Sequence, residues 1–394
     1  MQTHDVVVIG GGPGGSTLAT LLAMKGLDVA IVERETFPRF RIGESLLPCS
    51  MDIFRKTGVF ARLDSGKYIR KYGATFVCHK RNNQVYFDFS DNGTYEKSLA
   101  FEVQRAEFDK DLLEHAVESG VKLYQPEKVE QVDFDATGGT VTTPNRKLRA
   151  RYIADATGRV ALLGNKMMMR QQNTDLNNVA VFAHYENVKR EEGRRAGDII
   201  IGLLPNNAWS WTIPFQGKVT SVGVVTAAKF IDKDRVIEDY IETSIDCSPI
   251  FHDLMKDAKR VSEVQVMSNW SHTCDTFYGD RWIAVGDAAA FLDPIFSSGV
   301  HLSVSAANFA SEKILKAMEK DRLLSESDLG PDYEKTMRRG IKRFHSIIRM
   351  FYDGDFVGDM MRATELPHVR RAFTEVVAGD VWNEENVAFK MGTL

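Results

Sequence analysis

The stretch Val6-Val-Val-Ile-Gly-Gly-Gly-Pro-Gly-Gly15 decides the fold of this chain. Its four apolar residues, 6–9, predict a short parallel strand that is covered on both faces, and its glycines predict a tight turn. Residues 16–25 then predict a helix, because leucines recur on one face at helical spacing. A second apolar run, 29–32, predicts the next strand. The chain therefore opens with a strand–turn–helix–strand unit.

The glycines of this unit, Gly10-x-Gly12-x-x-Gly15, match the dinucleotide-binding fingerprint. Gly10 permits the tight turn, Gly12 lets backbone N–H groups approach a pyrophosphate, and Gly15 lets the helix pack closely on the strand. An acid, Glu33, follows the second strand, where a carboxylate accepts hydrogen bonds from ribose hydroxyls. A purely structural glycine turn is the alternative, but it would not require the strand, the helix and the acid together.

The composition is that of an ordinary globular protein. The chain has 394 residues, of which 43% are hydrophobic and 26% charged, a length that favours two domains. A net charge of −4 argues against nucleic-acid binding, which usually needs a basic excess. The four cysteines show no CxxC spacing, so neither a metal site nor a disulfide framework is expected. Without a long apolar run or a signal-like segment, we expect a cytoplasmic protein that does not bind membranes.

Helical and β segments alternate along the chain in a way that predicts an α/β fold of mixed α+β character. A helical pattern recurs near residue 105 and again after residue 299, and short β segments lie between. We expect a Rossmann-like dinucleotide-binding domain interleaved with an antiparallel β-sheet substrate domain, followed by a helical tail. The predicted bounds are 1–71, 101–165 and 275–330 for the first domain, 72–100 and 166–274 for the second, and 331–394 for the tail.

Three further segments resemble the p-hydroxybenzoate hydroxylase-like flavoproteins. The stretch Trp282-Ile-Ala-Val-Gly-Asp-Ala-Ala289 resembles their second FAD-contacting motif, in which the acid, here Asp287, holds the ribityl chain. The stretch Asp155-Ala-Thr-Gly158 resembles a motif that follows a strand in that superfamily, and Arg105 matches the arginine beside the FAD diphosphate. The resemblance implies that the cofactor is FAD rather than NAD.

Four other segments resemble the flavin-dependent halogenases of the phenol and pyrrole type. They are the Gly-Glu-Ser-Leu-Leu-Pro strap at 43–48, the KxGAxF segment at 71–76, the WxWxIP segment at 209–214, and the GDAAxFxDPxFSSGVH segment at 286–301. In that family the WxWxIP face is thought to keep the substrate away from the flavin. The face would consist of Trp209, Trp211, Ile213 and Pro214. In an arbitrary sequence, such aromatic side chains more often pack in the core.

The resemblance also implies which residues perform the chemistry. Lys71 would be the catalytic lysine, and Lys67 is its near competitor. The backbone N–H groups of Ser298 and Gly299 would bind chloride or bromide, although related hydroxylases carry a flavin-contacting loop here that binds no halide. The implied FAD contacts are Gly10, Gly12, Pro13, Gly14, Gly15, Glu33, Arg34, Arg41, Ser45, Arg105, Asp155, Asp287, Pro294, Gly299 and Val300.

The function implied by the resemblance is halogenation of an electron-rich aromatic substrate through hypohalous acid. FADH2 would come from a separate flavin reductase, O2 would be consumed, and the substrate would be free or held on a carrier protein. The glutamate that tryptophan halogenases carry beside their substrate is absent, since residues 295–297 read Ile-Phe-Ser, and this favours a phenol or a pyrrole. The alternatives are an FAD monooxygenase or oxidoreductase without halide use, a saturase like geranylgeranyl reductase, and a non-enzymatic flavoprotein.

Overall fold

The computed structural model describes residues 1–78, 83–92, 97–232, 234–325, 328–353, 358 and 365–390, and it has a mixed α/β architecture. The strands are β1 Gln2–Ile9, β2 Val29–Val32, β3 Ile69–Lys71, β4 Gly73–Cys78, β5 Asn83–Asp88, β6 Ala100–Glu102, β7 Lys122–Tyr124, β8 Gln131–Asp135, β9 Gly138–Thr142, β10 Lys147–Asp155, β11 Arg170–Gln172, β12 Asn178–Glu186, β13 Ile199–Leu203, β14 Trp209–Pro214, β15 Val219–Ala227, β16 Lys259–Arg260, β17 Gln265–Ser268, β18 His272–Cys274, β19 Tyr278–Gly279, β20 Trp282–Ala284 and β21 Ala290–Phe291.

The helices lie between these strands and after them. They are α1 Pro13–Ala23, α2 Met51–Thr57, α3 Phe60–Leu63, α4 Arg105–Glu118, α5 Leu162–Lys166, α6 Asp239–Asp246, α7 Pro249–Met255, α8 Ser298–Lys320 and α9 Leu329–Asp353, followed by Pro367–Val377 and Val387–Lys390. Among the described residues, no helix is long and apolar enough to pass through a lipid bilayer.

The first large sheet has the strand order β19-β20-β10-β1-β2-β7, and the β8–β9 hairpin adds to it beside β10. The pairs β1–β2, β1–β10, β2–β7 and β10–β20 are all parallel. The register aligns Ile9 with both Val32 and Asp155, so the carboxyl ends of these strands lie at one edge of the sheet. In open α/β sheets that edge is where ligands bind.

The predicted opening unit is present, but its bounds differ from those predicted. The first strand begins at Gln2 rather than at residue 6, because buried His4 hydrogen-bonds Asp28 and Tyr124 and lets the polar residues join the ladder. The helix begins at Pro13 rather than at residue 16, since a proline suits the first turn of a helix, where its missing N–H is not needed.

The second large sheet has the order β16-β12-β15-β14-β13-β4-β5, with β17 also on β12. The sequence predicts an antiparallel sheet here, and every pair is antiparallel except β13 with β4, which run parallel. That exception brings residues 199–203 beside residues 74–78, a pairing that needs a long connection rather than a hairpin. The strand β14 is buried along its whole length, so its aromatic residues lie inside the molecule.

Two small sheets and the C-terminal helices complete the fold. β3 pairs with β6, and β11, β18 and β21 form a three-stranded sheet. The helix α8 packs against α1 and α9. The tail is helical in its described part, although α9 begins at Leu329, slightly before the predicted boundary, and residues 354–357, 359–364 and 391–394 lie outside the described residues. The division into domains stays a prediction.

Candidate active site

A cavity of about 480 Å³ lies at the carboxyl ends of β1, β2, β10 and β20. The residues that follow these strands, Gly10, Glu33, Ala156 and Val285, all line it. Of the predicted FAD contacts, all but two line the cavity: Gly10, Gly12, Pro13, Gly14, Glu33, Arg34, Arg41, Ser45, Arg105, Asp287, Pro294, Gly299 and Val300. The fold therefore brings segments from widely separated parts of the chain to one elongated space.

The glycine turn has the shape that a pyrophosphate requires. A Cβ atom on Gly10, whose φ is +106°, would lie 2.4 Å from the Ala156 carbonyl oxygen, and one on Gly15 would lie 2.0 Å from the Gly10 carbonyl oxygen. A Cβ atom on Gly12 would meet only the Arg39 guanidinium, at 3.5 Å. Gly10 and Gly15 are thus required by packing, whereas Gly12 leaves space on the cavity side. The first-turn N–H groups of α1 have no partner within the helix and favour an anion at this place.

Glu33 is fixed at the end of β2 by two backbone donors. Its carboxylate accepts hydrogen bonds from the Gly11 N–H at 2.7 Å and from the Glu35 N–H at 2.8 Å, and the residue is only 5% exposed. An acceptor held in this way suits the ribose hydroxyls of a dinucleotide. Arg41 pairs with the Glu35 carboxylate nearby, and this pair forms part of the cavity wall.

Several arginine side chains lie at the part of the cavity where the diphosphate of FAD would bind. Arg105 binds Asp109 at 2.7 Å and the Ile42 carbonyl oxygen at 2.5 Å. The cavity is also lined by two arginines that no motif predicted, Arg39 and Arg159. Arg39 binds Asp109 at 2.9 Å. Burial raises the pKa of Asp287 to about 6, against the lowering effect of Arg105 and Arg159. The glycine cradle and these cations together fit the charged middle of FAD.

Asp155 and Gly15 are the two predicted FAD contacts that do not line the cavity, and each has a structural reason. The Asp155 carboxylate accepts hydrogen bonds from Thr157 N–H at 3.0 Å, Thr157 hydroxyl at 2.7 Å and Leu163 N–H at 2.7 Å. It therefore stabilises the turn after β10, and the residues of that turn, rather than Asp155 itself, face the cavity. Gly15 serves the close contact between helix and strand.

The WxWxIP segment places Trp209, Trp211 and Ile213 on the cavity wall. The two indole rings are 5.6 Å apart at a tilt of 45°. Each indole N–H is satisfied: Trp211 donates to the Ser221 hydroxyl at 3.1 Å, and Trp209 donates to the Tyr352 hydroxyl at 2.8 Å. Pro214 belongs to β14 but not to the lining, because alternate residues of a strand face opposite sides.

A buried network missed by the sequence analysis supports this wall. The Tyr352 hydroxyl, on α9, donates to the Asp293 carboxylate at 3.2 Å, and the Asn178 amide donates to the same carboxylate at 2.9 Å. Burial raises the pKa of Asp293 to about 6. The aspartate also accepts from the Ile295 N–H at 3.1 Å and so shapes the turn before α8.

The start of α8 reaches the cavity through a left-handed residue. Ser297, with φ of 54°, turns the chain into the helix, and Ser297, Gly299 and Val300 line the cavity. Ser298, predicted with Gly299 to hold a halide, is 2% exposed and is not part of the lining. The N–H groups of the first turn of this 23-residue helix can still bind an anion from the cavity side.

Lys71 lies one side chain behind the cavity wall. It is 1% exposed, and its Nζ donates to the Ser45 hydroxyl at 2.8 Å and to the Leu46 carbonyl oxygen at 3.1 Å. Ser45 lines the cavity, whereas Lys71 does not. Burial lowers the pKa of Lys71. Lys67, by contrast, is 38% exposed and binds Asp111 at 2.8 Å.

Comparisons with known proteins agree with this geometry. The model of a family described as FAD binding domain matches residues 3–327. A 1H-pyrrole-2-carbonyl-[peptidyl-carrier protein] chlorinase of Pseudomonas fluorescens is 30% identical, over 96% of this chain and 90% of its own length. A tryptophan 2-halogenase of Chondromyces crocatus is 29% identical, over 89% of this chain and 68% of its own length.

The structural neighbours point to the same class. The structure of the flavin-dependent brominase Bmp2 superimposes with a TM-score of 0.90 at 27% identity, covering 99% of this chain and 97% of that one. A fungal flavin-dependent halogenase, ascD of Acremonium egyptiacum, is 31% identical over 78% of this chain, but the chain spans 61% of its length.

Proposed function

The chain belongs to the flavin-dependent halogenases, and from that membership we propose that it halogenates an electron-rich aromatic ring, a phenol or a pyrrole, through Lys71. A separate flavin reductase would supply the FADH2, and chloride or bromide would supply the halogen. When bound, FADH2 together with O2 would supply the two-electron oxidation that converts the halide to hypohalous acid.

The chain's own residues would divide the work along the cavity. The turn at Gly12, Arg105 and Arg39 would bind the diphosphate, and Glu33 would hold the ribose at the far end. The first-turn N–H groups of α8, those of Ser298 and Gly299, would hold the halide. The wall formed by Trp209, Trp211 and Ile213 would keep the aromatic substrate from the flavin and so suppress direct hydroxylation.

The position of the Lys71 amine is the observation that carries the proposal. A buried lysine amine beside a cavity, with its pKa lowered by burial, is more readily neutral and thus a better nucleophile toward hypohalous acid than a surface lysine. Its neighbour Ser45 lines the cavity at 2.8 Å from the nitrogen. Hypohalous acid formed in the cavity would therefore reach the amine after passing one hydroxyl group.

The substrate class is part of the proposal. The absence of an acid at residues 295–297 favours a ring that needs little activation, such as a phenol or a pyrrole. The similarity to a chlorinase that acts on a carrier-bound pyrrole makes a carrier-bound substrate worth testing beside free ones.

Aerobic turnover tests the function directly. Purified protein would be combined with FAD, NADH, a flavin reductase and either chloride or bromide, together with free and carrier-loaded phenols and pyrroles. We expect a product whose mass spectrum has the isotope pattern of the halide that was supplied. A hydroxylated product formed equally well without halide would instead identify a monooxygenase, and anaerobic reduction of a prenyl double bond would identify a saturase.

A further inference from the structure

We propose that Glu102 is a positioning residue for Lys71: acting through Ser45, it takes the proton that the amine must lose before halogenation and later returns it. This inference rests on the proposed function of Lys71. It concerns a residue that none of the sequence motifs includes.

A continuous chain of hydrogen bonds joins the two ionisable groups. The Lys71 amine donates to the Ser45 hydroxyl at 2.8 Å, and that hydroxyl donates to the Glu102 carboxylate at 3.2 Å. The backbone fixes the arrangement, because β3, which ends at Lys71, pairs with β6, which ends at Glu102, and Ser45 forms a β-bridge to Glu102. Lys71 and Glu102 are each 1% exposed, and Ser45 is 3% exposed.

Among the acids near Lys71, Glu102 is the one with an oxygen to spare. Asp198 accepts hydrogen bonds from the Tyr72 N–H at 2.7 Å, the Gly73 N–H at 2.9 Å and the Tyr86 hydroxyl at 2.9 Å. The second carboxylate oxygen of Glu102 has no hydrogen-bond partner within the part of the chain that the structure describes. Glu102 therefore has room to hold a proton.

Glu44 is the remaining carboxylate that acts on Glu102. Its own oxygen lies 3.1 Å from the His184 Nε2 atom, and as a like charge it raises the pKa of Glu102 slightly further. Glu44 is linked to a histidine rather than to Lys71, so it is not a competing partner for the amine. The groups that face the pair are thus Asp198 and Glu44, with Ser45 between its members.

Burial disfavours the charged forms of both Lys71 and Glu102. Burial raises the pKa of Glu102 to about 8, although the Lys71 ammonium opposes this, and burial lowers the pKa of Lys71, although Glu102 opposes that. Both shifts favour the neutral form of each group, so burial reduces the preference for the ion pair over the neutral pair. The two groups titrate as one unit that holds a single proton over an intermediate pH range.

The reaction balances with this pair as its proton store. The Lys71 ammonium gives a proton to Ser45 while Ser45 gives its own to Glu102, leaving a neutral amine. The amine attacks hypohalous acid, so an N–X bond forms, the O–X bond breaks, and water leaves. The ring carbon then takes the halogen while the N–X electron pair stays on nitrogen, which receives the proton from Glu102 through Ser45. The ring proton finally passes to the amine and restores the ion pair.

The test reads the proton state of Lys71 separately from turnover. Holoenzyme would be labelled with ¹³C at the lysine Cε, and the Lys71 signal, identified by its loss in Lys71→Met, would be followed against pH. Without the carboxylate, burial acts on the amine unopposed, so Glu102→Gln should lower the Lys71 titration midpoint by about one pH unit or more. Glu375→Gln is the matched control, because this largely buried carboxylate binds Arg371 and Asn386 instead.

Turnover provides the second readout. Glu102→Gln should lower kcat for halogenation about tenfold or more with little change in KM, and the alkaline limb of the pH profile should disappear, since that limb reports loss of the pair's last proton. A merely structural role would leave both the midpoint and the shape of the profile unchanged.

The outcomes separate this inference from the proposed function. A shifted Lys71 midpoint in a protein that halogenates nothing would support the pairing and count against the function. Halogenation that requires Lys71, with an unchanged midpoint in Glu102→Gln, would overturn the pairing alone. If Glu102→Gln does not fold, Glu102→Asp, which withdraws the carboxylate from Ser45, must still lower the midpoint, and an unchanged midpoint there overturns the proposal.

Discussion

At Lys71, the surroundings that lower the pKa of the amine also hold the nitrogen in place. The hydrogen bonds to Ser45 and to the Leu46 carbonyl oxygen fix its position, and the Phe89 ring lies 5.4 Å from it. A side chain held in this way meets an electrophile without a large loss of rotamer entropy, which for a free lysine is considerable.

Replacing Lys71 should remove the halogenated product and leave the flavin chemistry intact. In Lys71→Ala we expect product formation to fall by about 100-fold or more, with FAD binding and O2-dependent oxidation of FADH2 unchanged. Lys71→Arg should fail equally, because a guanidinium stays protonated. Product would be measured by mass spectrometry and FAD by its absorbance.

The control for that experiment is Lys67→Ala, which removes an exposed lysine bound to Asp111 and should behave as the wild type. Loss of product in Lys67→Ala but not in Lys71→Ala would show that Lys67, rather than Lys71, is the catalytic lysine.

The glycines of the turn allow cofactor binding and folding to be tested separately. Gly12→Val should abolish FAD uptake but preserve the fold, because its side chain projects into the cavity and its φ of −72° suits any residue. Gly15→Ala should instead destabilise the protein, since the new Cβ atom would lie 2.0 Å from a backbone oxygen. Flavin absorbance and thermal unfolding would distinguish the two. Normal FAD binding by Gly12→Val would contradict the assigned position of the diphosphate.

Sequence patterns predict residues that act near one another along the chain, and they miss partners that only tertiary structure supplies. Gly10, Gly12 and Glu33 belong to a local unit with known spacing, so their positions at the cavity followed from the sequence. Glu102 and Lys71 meet only because β3 pairs with β6, and no periodicity links them. Arg39 likewise reaches the cavity through a loop whose path the sequence does not reveal.

For the strands, the sequence predicts which face is apolar but not which distant strand is the pairing partner. The strand β14 alternates large apolar residues with Ser210 and Thr212, so its wall face was readable from the pattern. The place of β4 in the sheet could not be predicted in this way, because its parallel pairing with β13 joins segments more than a hundred residues apart. The bond from Trp209 to Tyr352 on α9 crosses still more of the chain.

That bond between β14 and α9 leads to a stability prediction. Tyr352→Phe removes the partner of the Trp209 indole N–H and one donor to Asp293, leaving buried polar groups unsatisfied, which costs about 1–3 kcal/mol. We expect a lower urea midpoint and altered tryptophan fluorescence. Tyr185→Phe is the matched control, because the structure records no hydrogen bond of its hydroxyl within the described residues, and an equal loss in both variants would argue against the network.

Across the whole molecule, His301 connects α8 to the C-terminal region. Its Nε2 donates to the Gly379 carbonyl oxygen at 2.8 Å, which leaves Nδ1 to accept from the Ser50 hydroxyl at 3.0 Å. The two hydrogen bonds can form together only while the imidazole ring is neutral, because a protonated Nδ1 could not accept one. Burial lowers the pKa of His301 to about 4, from an ordinary value of 6.5.

The protein should therefore lose stability in acid through this histidine. The unfolded chain binds the proton at higher pH than the folded one, so the free energy of unfolding falls as the pH drops from 6.5 toward 4, by up to about 3 kcal/mol. His301→Gln should remove that part of the pH dependence, and His252→Gln, at an exposed site, should not. Urea midpoints measured at pH 7 and at pH 4.5 test this prediction. An equal fall in the urea midpoint between the two pH values in wild type and in His301→Gln would contradict it.

The order of strands in the first sheet has a consequence for how the protein is made. The strand β10, the parallel neighbour of β1, is paired on its other side by the preceding strand β9 over residues 147–150, but its residues 153–155 have no partner there until β20 has been synthesised. At typical translation rates, residue 282 follows residue 155 by roughly 6–25 s. Throughout that interval the carboxyl end of β10 is open to pairing with other chains. Asp287, Gly299 and Val300 of the cavity also follow β20, so a nascent chain halted before Trp282 should take up no FAD and should depend on chaperones until cofactor loading becomes possible.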